Sequence, residues 1–187
     1  GRVIKIQVGV GEIIGEGRLN SDSAAGLAVG ADQAVYLIED ACRVMRFVDG
    51  ESSVVAGGLV AGSSSAHMKS AQDIAVAKDG TLYIADTGNN RIQKLSRGDV
   101  VGTTVAGGNG RGNRDDQLDD PAGLFVTEDG TMYVADCENH RVMKWREGWL
   151  SGMVVAGGCG DDQGLHQLRH PVAVTADSSG ALYIAAG

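Results

Sequence analysis

The chain copies itself. The pentapeptide VVAGG at 54–58 returns as TVAGG at 104–108 and VVAGG at 154–158, a spacing of 50 residues. Tyr83, Tyr133 and Tyr183 keep that interval, and Tyr36 stands 47 residues before the first of them. Laid without gaps over residues 121–158, residues 71–108 agree at 16 of 38 positions. Self-similarity at such a period is expected of a chain that stacks like units, each contacting its neighbours, instead of wrapping one irregular core.

Each period holds four short runs. The first is GLAV from Gly26, DIAV from Asp73, GLFV from Gly123 and AVTA from Ala173. The second is VYLI, LYIA, MYVA and LYIA. The third is RVMRF from Arg43, RIQKL from Arg91 and RVMKW from Arg141, and the fourth ends in AGG. Runs of this length, rich in branched and aromatic residues, fit strands and are too short for ordinary helices. The Asp-Gly in the KDG and EDG turns suits the positive φ of a tight hairpin. Gly numbers 29 against 2 Pro, and only 4% of residues are aromatic, which fits aliphatic sheets with frequent turns.

The expected fold is therefore all-β, a β-propeller of four-stranded antiparallel blades, about four of them. The first two runs are apolar on both faces, as in sheets covered on both sides. In the third, Val142 and Lys144 share one face and Arg141, Met143 and Trp145 the other, which predicts a strand moving towards solvent. RVIKI from Arg2 matches the third run and EIIGEG from Glu12 the fourth, so residues 1–17 read as an outer half-blade. Full blades are expected over 23–58, 71–108 and 121–158, and an inner half-blade over 171–187. The two halves either join into one blade that closes a four-bladed ring, or belong to a segment of a larger propeller. Residues 1–187 form a single domain or segment in both cases, and an unclosed stack would expose apolar faces at its ends.

The formal charge of −8 disfavours a broad phosphate-binding surface, so nucleic acid is not an expected partner. No run reaches the roughly 20 apolar residues of a membrane span. The three cysteines, Cys42, Cys137 and Cys159, contain no CxxC pair and read as free thiols. Nothing in the sequence assigns a compartment.

Residues 121–144, with the pattern P-x-G-(x)3-V-x-x-D-G-x-x-Y-V-A-D-x-x-N-H-R-V-x-K, resemble the NHL repeat, whose tripeptide is represented by Asn139-His140-Arg141 and, one period earlier, by Asn89-Asn90-Arg91. The likeness is strongest over 71–158. It weakens at the ends, where Glu39 and Ala186 replace the Asp of the signature. The resemblance implies a propeller of about six blades, so that four blades' worth would be a segment or a small ring. It implies no single activity. Members of the family resemble docking platforms for protein or RNA in tripartite-motif ubiquitin ligases, extracellular sensors of bacterial kinases, and a peptide-amidating lyase.

The stretch ADCENHRVMKW brings Asp136, Cys137, Glu138 and His140 within five positions. In the preceding repeat their counterparts are Asp86, Thr87, Gly88 and Asn90, so only the Asp persists, together with Asn89 and Asn139. A repeated Asp before a polar turn is expected to accept hydrogen bonds from the turn's own N–H groups, with Asn89 and Asn139 adopting or capping the bend. Arg91 and Arg141 are expected to pair with an acidic side chain of the same or a neighbouring blade. Asp86, Asn89, Arg91, Asp136, Asn139 and Arg141 are thus structural residues of the repeat. Cys137 and His140 lack the third ligand that a zinc centre needs, so no metal or cofactor is assigned.

The residues that do not repeat fall in the connections between blades, LVAGSSSAHMKSA, NGRGNRDDQLDDP and CGDDQGLHQLRHP, expected on the same face as the Asp-bearing turns. Their first reading is a solvated acidic surface. As a binding surface they present Arg111, Arg114, Asp115, Asp116, Glu138, His140, Asp161, Asp162 and His166 to a protein or small polar ligand. No Ser-His or Cys-His arrangement stands out for nucleophilic catalysis, and the innermost strands contain no His. No catalytic residue is assigned. The sequence reads as a non-enzymatic interaction scaffold; the alternative is a metal-dependent propeller enzyme of the peptide-amidating lyase or lactonase kind.

Overall fold

The structure, a computed structural model, describes residues 3–7, 10–15, 24–58, 60–158 and 167–187. Among these it has sixteen strands, and the only helical turns are two of three residues each, at Thr87–Asn89 and Cys137–Asn139. β1 (Val3–Gln7) and β2 (Val10–Gly15) form an antiparallel pair. Blade 1 comprises β3 (Ala24–Val29), β4 (Val35–Glu39), β5 (Arg43–Val48) and β6 (Glu51–Gly57). Blade 2 comprises β7 (Asp73–Val76), β8 (Leu82–Asp86), β9 (Arg91–Leu95) and β10 (Thr103–Gly107). Blade 3 comprises β11 (Pro121–Val126), β12 (Met132–Asp136), β13 (Arg141–Trp145) and β14 (Met153–Gly157), and a last pair comprises β15 (Ala173–Ala176) and β16 (Leu182–Ala185). Each blade is a meander with its strands in chain order.

The second strand of a blade shows why its sequence is apolar throughout. Along β4 successive side chains alternate between faces. Tyr36 and Ile38 join Val44, Ile74, Ile84 and Leu95 in a layer between blades 1 and 2, while Val35 and Leu37 pack with Phe47 on the opposite side. All five β4 residues are buried. The same layering recurs between blades 2 and 3 around Ile92, Leu124, Val134 and Trp145, and between blade 3 and the last pair around Val142 and Val174. Each large aliphatic side chain so buried contributes about 1.5–3 kcal/mol.

The inner strands approach one another closely. A Cβ on Gly123 would lie 2.6 Å from Val172 O and 2.7 Å from Ala173 Cα. Asp73 ties the same region across blades, its Oδ2 accepting the Leu124 N–H at 2.8 Å. The AGG motif is also steric in origin. Gly57, Gly107 and Gly157 take positive φ, and a Cβ on any of them would overlap the carbonyl oxygen of the residue before the repeated arginine: Cys42, Asn90 or His140.

Of the two arrangements the sequence leaves open, the structure fits the second: β1–β2 and β15–β16 are separate two-stranded sheets that do not join into a closing blade, as in a segment of a larger propeller. Leu27 and Val29 on β3 are accordingly 60% and 58% exposed, and Tyr183 on β16 is 58% exposed. One expectation is corrected: the third strand does not move towards solvent. Arg141, Val142, Met143 and Trp145 are all buried and only Lys144 is partly exposed, because β14 lies outside β13 and takes the exposed position.

Candidate docking face

In both central blades the second strand ends on a buried carboxylate. Asp86 Oδ1 accepts the Lys69 N–H at 2.8 Å, and Asp136 Oδ1 accepts the Asp119 N–H at 2.7 Å. Asn89 and Asn139 each donate Nδ2 to the same carboxylate, and Arg91 and Arg141 each donate Nε at 2.7 Å. The register places Asp86 opposite Arg91 and Asp136 opposite Arg141 on adjacent strands, so each pair forms without loop rearrangement. The carboxylates therefore reach the preceding connection instead of the amides of their own turn, contrary to the sequence expectation. Asn89 and Asn139 likewise do not make the bend. The left-handed residues are Asn90 and His140, both at φ 53°, while Asn89 and Asn139 use their amides to hold the Gly62 and Gly112 carbonyls at 2.9 and 2.8 Å.

The guanidinium tips complete the clamp. Arg91 donates to the carbonyls of Ser64 and His67, and Arg141 to those of Asn113, Arg114 and Gln117. Burial pushes the Asp136 carboxyl above its usual range, although the donors from Asp119, Asn139 and Arg141 pull the other way. In blade 1 Glu39 takes the place of the Asp and still meets Arg43 Nε at 2.6 Å. The connections that enter blades 2 and 3 are thus folded over the blade end by their backbone carbonyls; Met68 and Leu118 turn into the core, while Arg111, Arg114 and Asp115 stay exposed.

Those side chains form a charged rim. Arg114 Nε meets Asp116 Oδ1 at 3.0 Å. Arg111 Nε lies 2.8 Å from Asp119 Oδ1, an ionic contact whose N–H is directed off the oxygen. Asp115 is 69% exposed in its side chain, with a carboxylate oxygen 3.9 Å from Arg141. Glu138 and His140 border an open depression with Asn113, Asn139, Arg141 and Gly158. Asp161, Asp162, His166 and Cys159 lie outside the described residues. Cys42 and Cys137 are free thiols; burial raises both above the usual thiol range, and Cys137 is raised further by Glu138 and Asp120.

One neighbour was not foreseen. His170, from the connection after blade 3, comes to the Cys137–His140 turn: its N–H donates to His140 Nδ1 at 3.1 Å, and its ring meets the His140 ring edge-on with centroids 4.4 Å apart.

Three blades, two half-blades and clamped connections define an arc of a β-propeller. The NHL-repeat family profile matches residues 69–95 and 118–145, and the chain carries NHL repeats at both places. No curated protein matches it by sequence. It is similar in fold to an auxiliary nutrient binding protein from Bacteroides thetaiotaomicron VPI-5482 (16% identity, 94% of this chain on 47% of the other, TM-score 0.70). A chain of a nidogen/laminin complex (17% identity, 94% on 60%, TM-score 0.67) and a virginiamycin B lyase from Staphylococcus aureus (14% identity, 99% on 56%, TM-score 0.65) share it too. The chain spans about half the length of the solved structures it matches.

Proposed function

We propose that the loop face of this arc is a non-enzymatic docking surface for a protein partner. The observation that carries the reading is the division of labour at the blade ends. Asp86, Asn89, Arg91 and their counterparts Asp136, Asn139 and Arg141 are consumed in holding connection backbone. The side chains that differ between repeats, among them Arg111, Arg114, Asp115, Asp116, Glu138 and His140, are held at that same end on a fixed frame. A preorganised rim of this kind binds with little ordering cost. Its surplus of carboxylates over cations suits a basic patch on the partner.

A similar fold occurs in a chain of a nidogen/laminin complex, which supports docking as a use of this architecture. The lyase neighbour supports the enzymatic alternative at the level of fold alone. Against that alternative, β3, β7, β11 and β15 contain no His, and the Asp73 carboxylate is engaged by the Leu124 and Ile74 N–H groups.

The test is crosslinking in native extract with three versions of the chain. The parent and an opposite-face variant, Arg97→Ala, should capture the same partner, and the loop-face variant Asp115→Lys/Asp116→Lys should lose it. Equal capture by the loop-face variant, or loss by the opposite-face one, refutes the assignment.

A further inference from the structure

Where blade 3 meets the strand pair after it, three different metal-binding side chains converge, two from the β12–β13 turn and one from the connection after the blade. The His170 Nδ1 lies 3.3 Å from Glu138 Oε1 and 3.8 Å from Cys137 Sγ, and one ligand atom of each residue lies within 4.8 Å of the other two. A tetrahedral ion with bonds of about 2.3 Å to sulfur and about 2.0 Å to nitrogen or oxygen holds such atoms about 3.3–3.6 Å apart. The two separations to His170 Nδ1 are thus already close to that spacing. We propose that Cys137, Glu138 and His170 bind one divalent transition-metal ion, zinc by the donor set, which clamps blade 3 to the next pair of strands. This stands independently of the docking function.

The sister junction shows that the backbone there has another purpose and that only the side chains are new. Between blades 2 and 3 the equivalent positions are Thr87, Gly88 and Asp120. The Asp120 N–H donates to Asn90 Oδ1 at 3.0 Å, as the His170 N–H does to His140 Nδ1 at 3.1 Å. Thr87 spends its hydroxyl on Pro121 O at 2.7 Å, and Gly88 has no side chain to offer. One junction is chemically quiet, and its copy carries a thiol, a carboxylate and an imidazole on the same frame.

His140 is a positioning residue. Its Nδ1 accepts the His170 N–H, which puts its own proton on Nε2 and leaves the His170 ring free to turn Nδ1 towards Cys137 and Glu138. The Glu138 and His170 side chains are 40% and 42% exposed, so an ion has access and a water completes the shell. Asp119, Asp120 and Asp136 add negative charge near the sulfur. On binding, the Cys137 S–H releases its proton to solvent and the thiolate bonds the metal.

Cobalt titration of the purified chain, followed by zinc competition, tests the site. One Co²⁺ per chain is expected, with thiolate-to-cobalt charge-transfer absorption that Zn²⁺ abolishes. Replacing the ligands by the residues of the sister junction (Cys137→Thr, Glu138→Gly, His170→Asp) gives a frame that the chain already uses, so folding should persist by circular dichroism. That variant should lose the band and at least tenfold in zinc affinity, and Cys137→Ser alone should lose the band. His140→Gly, which removes the acceptor at a left-handed position, should keep the band but weaken zinc by about 10–100-fold, whereas His140→Asn, which supplies the acceptor used in the sister junction, should stay near the parent. No charge-transfer band in the parent, or a band surviving in the three-residue swap, overturns the proposal.

Discussion

Removing the Asp86 carboxylate tests what the repeated Asp does. It is fully buried, with four donors on its two oxygens: the Lys69 N–H, Asn89 Nδ2, Arg91 Nε and Gln93 Nε2. Asp86→Ala leaves Arg91, itself buried, without its counter-charge. Breaking one half of such a pair costs about 3–5 kcal/mol, where the net value of an ordinary hydrogen bond is nearer 1. The total stability of a domain is about 5–15 kcal/mol, so the variant should be folded but close to its limit. Urea unfolding followed by circular dichroism should show a lower midpoint at unchanged slope. Asp116→Ala breaks the exposed Arg114 pair and should cost no more than about 1 kcal/mol. Converting both partners to apolar residues, Asp86→Leu with Arg91→Met, should recover part of the loss, since the stranded charge is then gone. A loss below about 1 kcal/mol for Asp86→Ala would show that the clamp is ornamental and refute the reasoning.

Gly123→Ala should destabilise the chain by about 1–3 kcal/mol, because its Cβ meets Val172 and Ala173 backbone that cannot turn aside. Amide exchange in β16 should quicken with it, and an unchanged melting temperature would contradict the close approach. Acid should act at the hairpins: the Asp129 carboxyl, hydrogen-bonded by Thr127 and Thr131, is held down to about 2. Its folded pKa lies below the unfolded one, so its stabilisation is present above about pH 4 and lost as pH falls through about 2. Carbon-detected carboxyl titration should find that low midpoint, and Thr127→Val should raise it; an ordinary Asp midpoint in the parent would count against the hairpin geometry.

The fold was legible because a repeat multiplies weak signals. One LYIA is ambiguous between helix and strand, but VYLI, LYIA and MYVA, each followed by a polar turn and an arginine run, leave little but a meander. Burial of the third strand was hidden. Arg141 reads as a solvent signal until it is known that Asp136 stands opposite it in register and cancels its charge inside the sheet. Openness of the arc was equally hidden, since a half-blade at each end carries the same side chains whether or not the two halves meet.

The site divides along the same line. Clamp residues repeat, so Asp86, Asn89 and Arg91 were recognisable as architecture, although their partners were not: the Lys69 N–H and the Gly62 carbonyl are backbone groups that any sequence would supply. The Cys137–Glu138–His170 cluster departs from the repeat and was missed for a geometric reason. His170 lies 33 positions beyond Cys137, and the only sequence trace of their meeting is that Asp120 and His170 both directly precede the proline that opens a first run. That position is brought to the preceding blade's turn by its own N–H, through a side chain at 90 or 140. Since its backbone N–H delivers it, a residue that tolerates the left-handed conformation there, as Asp120 and His170 both do, can change chemistry without disturbing the junction, and a copied unit thereby gains a place where new ligands meet without a new fold.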